Sequence, residues 1–439
     1  MKPPKTGTDH VFPGQRSSRP KTWSVPDLIL PLSDAHAADA RRFGSKAARL
    51  AALGHAGLPT PGGFGVDAQA YRLQLAHLGL EEAARGVFAA EDRPQARRHA
   101  LSVKLGLMTG EILPALREDL VKIFSPVVRS SALVEDKAGA SFAGQFQSYL
   151  GLETEADFLT AVRACWAALW STRALRYFAA SGLDPAATGM GLIIQPLVQA
   201  RCAGGGLSRT ADGDMLVNAA AGPGSSVAQG EVVPDRYVLD RSGALKESTV
   251  GTNYHSMGCK HGRRAFSRLL AAPVLDAEQL GELALQMRKA EEIFQHPVEI
   301  EWAQDETGIK LLQARPLNVA EAPVPDEIWL KHPRLSGHPG GAGWGTGRAR
   351  IVSCECELER VAPGDVLVTT VAGPALSDVF HRVAGIVAEL GGSTSHLASL
   401  ARERGIPMVL GAMDATRRIP DGAMVAVDGV AGVVRWMRA

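Results

Sequence analysis

Gly391-Gly392-Ser393-Thr394-Ser395-His396-Leu397-Ala398-Ser399-Leu400-Ala401-Arg402-Glu403-Arg404-Gly405-Ile406-Pro407 follows an apolar run at 385–390 and reads as a buried strand turning into a helix. Two adjacent glycines let the backbone turn sharply and approach a ligand closely. Ser393, Thr394 or Ser395 can cap the helix, which puts His396 in the first turn beside unsatisfied amide groups. The positive end of the helix dipole favours an anion there, a phosphoryl group included. A neutral imidazole nitrogen is nucleophilic near pH 7, and a phosphorylated imidazole stays reactive. Taken alone, the same residues also fit an ordinary strand-to-helix turn with a capping histidine.

Around this run the chain alternates strand and helix patterns. Strands are predicted at 348–352, 365–370, 385–390 and 407–410, helices at 373–382 and 396–404, and a hairpin over 424–436 that turns on Asp428-Gly429. Upstream, 318–347 is rich in proline and glycine and includes Gly337-His-Pro-Gly-Gly-Ala-Gly-Trp-Gly345, a linker composition. Before it, a longer alternation runs from about 40 to 316. Helices are predicted at 41–54, over most of 70–120 with breaks at Pro94 and Pro114, as one long helix at 157–181, and at 275–294. Strands are predicted at 126–129, 192–198, 215–219, 236–239, 298–302 and 309–314. Glu299 and Glu301 alternate on one of these strands and so face the same side.

Length and composition set outer bounds. A chain of 439 residues, 46% hydrophobic, holds two to four domains with cores of their own. A net charge of +1 gives no long-range field for nucleic acid or an anionic membrane. The first 25 residues are basic and loop-like with no apolar stretch, so a flexible tail is expected rather than a secretory signal. No run of 18 apolar residues occurs, so no spanning helix is expected. Cys165, Cys202, Cys259, Cys354 and Cys356 lack zinc-site spacing and read as reduced thiols of a cytoplasmic protein.

The histidine run closely resembles the mobile phosphohistidine domain of the phosphoenolpyruvate-utilising enzymes, among them phosphoenolpyruvate synthase, pyruvate phosphate dikinase and the related rifampin phosphotransferase. The family run is Gly-Gly-x-x-(Ser/Thr/Cys)-His-x-Ala-x-x-Ala-Arg-x-x-Gly-Ile-Pro, and every fixed position is met over 391–407. The resemblance covers about 344–437, with Pro363-Gly-Asp-Val-Leu-Val and Val427-Asp-Gly also matching. Roughly 26–318 resembles the same family's ATP-grasp nucleotide-binding domain. It does so through Gly44-Ser-Lys46-Ala-Ala-Arg-Leu, Gly57-Leu-Pro-Thr-Pro-Gly-Gly-Phe, Val128-Arg129-Ser-Ser-Ala-Leu-Val-Glu135-Asp136 and Ala140-Ser141-Phe-Ala-Gly144-Gln145. Val227-Ala-Gln229-Gly230, Pro234-Asp235, Glu299-Ile-Glu301-Trp302 and Gln313-Ala-Arg315-Pro316 complete the set.

The resemblance implies an α/β architecture: a flexible tail (1–25), a two-lobed ATP-grasp region (26–318), a Gly/Pro-rich linker (319–346) and a small swivelling β/β/α phosphohistidine domain (347–439). It implies ATP and Mg2+ as cofactors. Lys46, Arg129, Ser141, Gly144, Gln145, Gln195, Glu299 and Arg315 would hold the nucleotide, Glu301 and Gln313 the magnesium, and His396, with Arg129 and Thr394, would carry the chemistry. The residue types suit the task. Triphosphate carries about four negative charges and needs cations with backbone donors. Lys46 is a point charge, Arg129 and Arg315 are planar forks, and Glu301 and Gln313 are oxygen donors of the kind magnesium takes.

Two departures stand out. The acceptor site of family members lies in a barrel domain or in an insert between the two domains, and neither is expected within these 439 residues. Also, where relatives carry a Ser-Gly-Val-x-Phe-like strand, this chain has Cys202-Ala-Gly-Gly-Gly-Leu-Ser-Arg-Thr, which suggests a weak strand at an open edge. Pro223 likewise interrupts a usual Gly-Leu-Gly. Three functions are therefore weighed: an ATP-dependent phosphotransferase for a small-molecule acceptor, one subunit of a split dikinase whose acceptor domain is a separate protein, and a non-catalytic nucleotide-sensing module.

Overall fold

The computed structural model describes residues 28–135, 146, 148–251, 273–319, 327–370 and 373–437. The predicted tail, and with it Ser141, Gly144 and Gln145, lie outside the described residues.

Three sheets organise the described chain. The first holds β1 (Ile29–Pro31), β2 (Phe64–Val66), β3 (Val127–Ala132), β4 (Ser148–Leu150) and β5 (Met190–Gln195), in the order β1-β2-β5-β3-β4 and antiparallel throughout. The second holds β6 (Cys202–Leu207), β7 (Met215–Ala221), β8 (Asp235–Leu239), β9 (Leu245–Thr249), β10 (Val298–Asp305) and β11 (Gly308–Pro316), in the order β11-β10-β6-β7-β8-β9, also antiparallel. The third holds β12 (Arg334–Ser336), β13 (His338–Pro339), β14 (Trp344–Val352), β15 (Val366–Thr369), β16 (Gly385–Ala388), β17 (Met408–Leu410), β18 (Met424–Asp428) and β19 (Val433–Trp436). Its central strands β14 to β17 are parallel.

The helix Ala40–His55 joins the first two sheets by packing against β3, β5 and β11. Asp39 starts it by accepting from the Arg41 amide at 2.9 Å, and Phe43, Ala47, Leu50, Ala51 and Leu53 form its buried face. The helix breaks at Gly44, which has φ 80° and ψ 164°. A Cβ there would lie 2.1 Å from the Ser131 carbonyl oxygen. Glycine thus lets the chain pass hard against β3 and restart, with Ser131 Oγ accepting from the Ala47 amide at 3.1 Å. That restart aims Lys46 at the space between the sheets.

A second helix, Ala277–Phe294, opens with a reciprocal Asp276/Gln279 capping box and covers the second sheet. A third, His396–Arg404, falls where the sequence places it, with Ser395 as its cap and Gly405 in the left-handed conformation at its end. One apolar cluster runs from Phe158, Trp166 and Leu169 of the N-terminal region to Phe380, Leu397 and Leu400. The C-terminal body is therefore packed against the rest of the chain.

Four sequence expectations give way. The 157–181 helix is split into Glu155–Ala167 and Thr172–Ala180, because Ser171 accepts from the Ala174 amide and starts a new helix. The Cys202–Leu207 stretch is no edge: β6 lies inside its sheet between β10 and β7, and all six residues are buried. The 319–346 linker contributes β12 and β13 to the C-terminal sheet, where they pair with β19 and β17. Its glycines serve close packing rather than flexibility. A Cβ on Gly341 would lie 2.0 Å from the Ile406 carbonyl oxygen, and one on Gly345 1.9 Å from that of Ala384. The predicted 373–382 helix is a 3-10 stretch, Pro374–Val379.

Because Gly44 combines a positive φ with direct backbone contact, Gly44→Ala is expected to destabilise the N-terminal region by about 2–4 kcal/mol. Urea unfolding followed by circular dichroism would measure it, and an unchanged midpoint would refute the role given to this residue.

Candidate functional site

A cavity of about 940 Å³ lies where the first two sheets meet the turn that carries His396. Its floor comes from β3 and from the β10–β11 pair. One end is closed by the segment that links β5 to β6, with Gln195, Leu197 and Val198 facing in. Lys46, Arg129, Gln195, Glu301, Gln313, Arg315, Thr394 and His396 all line it. The fold therefore places eight of the candidate residues around one space, although they are spread over 350 positions of chain (396 − 46).

The register of β10 and β11 explains the ionic floor. Glu301 stands directly opposite Gln313, and Glu299 opposite Arg315. Arg129 reaches this floor from β3. Its Nη1 donates to the Leu312 carbonyl at 2.8 Å, and its Nη2 to Gln313 Oε1 at 2.8 Å and to Glu301 Oε2 at 3.4 Å. One guanidinium thus ties the two sheets together. Lys46 pairs with Glu135 at 2.8 Å. Gln195 Nε2 donates to the Gly62 carbonyl at 2.7 Å, fixing the end of β5 to the loop before β2.

Glu299 takes a different place. It is buried behind the cavity and does not line it. Its Oε1 accepts from Ser399 Oγ at 2.6 Å and from Arg315 at 3.3 Å, and its Oε2 from Arg402 at 2.8 Å. Burial raises its carboxyl, but the nearby Arg315 and Arg402 outweigh this and hold it below the ordinary range. In this arrangement Glu299 fastens the C-terminal helix to the second sheet. Arg402 also donates to the Ser393 carbonyl at 2.6 Å, which ties the helix to its own preceding turn.

His396 heads its helix at the cavity wall. Its Nδ1 is buried with no hydrogen-bond partner. Burial depresses its pKa, Glu301 partly opposes this, and Arg315 and Lys46 add to it. The ring is accordingly held neutral, the form that can attack phosphorus. Burial raises the Glu301 carboxyl, but the charges of Arg129, Arg315 and Lys46 outweigh this and hold it below its usual value, so it stays ionised.

The turn before the helix is pressed into the second sheet. The Gly391 amide donates to the Val232 carbonyl at 3.0 Å, and a Cβ on Gly392 would lie 2.5 Å from Pro234 Cγ. Thr394 Oγ1 donates to Asn218 Oδ1 at 3.5 Å. Asn218 Nδ2 in turn lies 3.4 Å from Nδ1 of His338, a residue that burial pulls down to about 3 and so keeps neutral. On the other side, Tyr177 donates to Glu403 at 2.6 Å, and the Arg404 guanidinium sits 4.8 Å from the Tyr177 ring centre.

A divalent cation fits the floor. Glu301 Oε1 is buried and makes no hydrogen bond, and it stands across from the Gln313 side chain. Both are hard oxygen donors suited to magnesium, which keeps few protein ligands when it also binds phosphate. Gln313 Oε1 also accepts from Arg129, which leaves the amide oxygen one lone pair for a metal. Among the described residues no group of three or more His, Cys, Asp or Glu forms a metal cage. Nor is any helix among them long and apolar enough to cross a membrane.

Sequence reasoning did not single out Asn218, Ser399 or Arg402 as site residues. Ser399 and Arg402 stand in the quoted histidine run, three and six positions after His396 along one helix, and that spacing was the available signal. Asn218 carries no local signal; only the pairing of β7 with β6 brings it to Thr394.

Comparison with known proteins identifies the family of the chain. Residues 40–329 match the family described as "Pyruvate phosphate dikinase, AMP/ATP-binding domain", and residues 361–432 match "PEP-utilising enzyme, mobile domain". The phosphoenolpyruvate synthase of Aeropyrum pernix is 31% identical over 456 residues, covering 89% of this chain and 56% of that protein. The probable phosphoenolpyruvate synthase of Pyrococcus abyssi is 29% identical over 466 residues, covering 90% and 57%. The phosphoenolpyruvate synthase of Escherichia coli K12 is 28% identical over 445 residues, covering 91% and 56%. The chain thus spans little more than half the length of the curated relatives it matches.

Glu299→Gln removes the charge that Arg315 and Arg402 share. We expect amide hydrogen exchange across 391–404 to rise at least tenfold, while affinity for a non-hydrolysable ATP analogue changes by less than about threefold. Unchanged exchange would show that Glu299 does not hold the helix in place.

Proposed function

The chain belongs to the PEP-utilising enzyme family, and from that premise we propose that it phosphorylates His396 from ATP and passes the phosphoryl group to a small-molecule acceptor, in the manner of a dikinase. The observation that carries this reading is the position of His396 in the wall of a cavity whose floor holds Lys46, Arg129 and Arg315.

The nucleotide base would lie toward Leu197 and Val198, where apolar side chains and the backbone of the linking segment offer a dry slot. The phosphate chain would then run over the ionic floor toward His396. Arg129 leaves its contacts with Gln313 and Glu301 to take phosphate oxygens with a planar fork, and Lys46 and Arg315 offset the remaining charge. Glu301 and Gln313 would hold magnesium, which supplies charge neutralisation for the phosphates when bound. Ser141, Gly144 and Gln145 remain candidates for covering the phosphates on the strength of the resemblance.

In the first half-reaction a neutral imidazole nitrogen forms a bond to a nucleotide phosphorus, and the phosphoanhydride bond to that phosphorus breaks. AMP leaves in the dikinase pattern, and the second phosphate passes to water or inorganic phosphate. Because His396 is held neutral by burial, it needs no separate base. In the second half-reaction the C-terminal body leaves the cavity and the phosphohistidine meets its acceptor. The chain before β12 is where such a swing would hinge.

The relatives' name points to the pyruvate–phosphoenolpyruvate pair as the acceptor chemistry. A second reading keeps the same first step and places the acceptor site on a separate protein. What favours it is the share of the relatives' length that this chain does not span.

The test uses ATP labelled separately at the β and γ positions, with magnesium, wild type, His396→Ala and Arg129→Lys. We expect acid-labile, base-stable label from the β position on the wild type, none on His396→Ala, and a rate at least about 100-fold lower in Arg129→Lys. Chelation of magnesium should abolish labelling. Nucleotide binding without any label on the wild type would sink the proposal and favour a sensing role.

A further inference from the structure

The Gly204-Gly205-Gly206 run in β6 plays no part in the chemistry proposed above, yet its three missing side chains face three different things. A Cβ on Gly204 would lie 1.9 Å from the Asn218 carbonyl oxygen, in the neighbouring strand β7. A Cβ on Gly206 would lie 2.6 Å from Met287 Sδ and 3.1 Å from Ile300 Cγ1, in the core of the same lobe. Those two glycines serve the packing of their own sheet. Gly205 does not. The three atoms nearest to its Cβ position all belong to Thr394: Cβ at 2.5 Å, Oγ1 at 2.7 Å and Cγ2 at 2.9 Å.

Gly205 is fixed from both sides, paired with Glu301 in β10 and Asn218 in β7. It has no positive φ, so its backbone accepts an L side chain. The nearest neighbour of an added methyl group is therefore the turn that carries His396, two residues beyond Thr394. Ordinary carbon–carbon contact is about 3.5–4.0 Å, so that methyl group would push the turn back by roughly 1–1.5 Å.

We propose that Gly205 is a positioning residue for the phosphorylation of His396: its absent side chain is the socket that seats Thr394 and sets how far the histidine enters the nucleotide cavity. The inference rests on the reading that His396 takes phosphate at this cavity. It goes beyond that reading by assigning the depth of approach to a residue that touches neither nucleotide nor histidine. The socket exists only while the C-terminal body is docked. Filling it opposes docking and leaves the nucleotide floor as it was.

The experiment compares wild type, Gly205→Ala, Gly205→Val, Thr394→Gly and the Gly205→Ala/Thr394→Gly double variant, all as full chains. Calorimetry with a non-hydrolysable ATP analogue and magnesium should give dissociation constants within about twofold of each other for wild type and the two Gly205 variants. Labelling of His396 from β-labelled ATP should slow about 100-fold in Gly205→Ala, as a displacement near 1 Å implies, and further in Gly205→Val. With Thr394→Gly already present, the same Gly205→Ala change should cost less than about fivefold, because the colliding Cβ is gone. Small-angle scattering should show Gly205→Val more extended than wild type. Gly205→Ala labelled at the wild-type rate, or a cost that persists undiminished beside Thr394→Gly, would overturn the proposal. If wild type takes no label, the chemical reading fails, and scattering alone decides the socket: an extended Gly205→Val supports it, and an unchanged profile overturns it.

Discussion

A single buried carboxylate, that of Glu299, is shared by two bodies of the protein. Arg315 beside it belongs to the second sheet, and Arg402 and Ser399 belong to the C-terminal helix. Burying a charge costs several kcal/mol unless it is paired and hydrogen-bonded, so neither body satisfies this group alone. The position of His396 follows from that sharing. A joint made of charges can also come apart, since water re-solvates each partner as it opens. The apolar contacts of Leu397 and Leu400 add attraction without direction, and the ionic pairs supply the register.

The second sheet serves two purposes with one face. β10 offers Glu301 to the cavity and Glu299 to the docked helix, two residues apart on the same side of the strand. β6, next to it, is stripped to glycine where the histidine turn comes down. Arg129 then crosses from the first sheet to the same floor. The cavity floor and the docking face are thus neighbouring parts of one sheet surface.

The features that depend on neighbouring residues are legible in the amino-acid sequence. The helix at 396–404, its serine cap and its glycine end come from adjacent positions. The shared face of Glu299 and Glu301 follows from strand periodicity, and the fold class from alternation and resemblance. The features that depend on distant partners are not legible. The glycines of β6 read as an open edge because nothing nearby announces that β7 and β10 will flank them and that Thr394 will press on one of them. The glycines of 337–347 read as linker because flexible and closely packed backbone have the same composition. Ser171 stands directly after the apolar stretch 164–170, whose burial masks the boundary between the two helices. Glu299 is expected to hold nucleotide through the family resemblance, whereas two of its partners, Ser399 and Arg402, stand on a helix about a hundred residues away.

The floor of the cavity is already neutralised by its own groups. Lys46 rests on Glu135, and Arg129 on Glu301 and Gln313. An incoming anion must exchange for these contacts rather than fill a vacant positive hole. A single small anion such as chloride offers little to replace them. A polyphosphate arriving with its own metal replaces cation and anion partners together, so nothing is left unpaired. Discrimination against the abundant small anions of a cell would then arise from self-occupancy of the binding groups, without any steric filter.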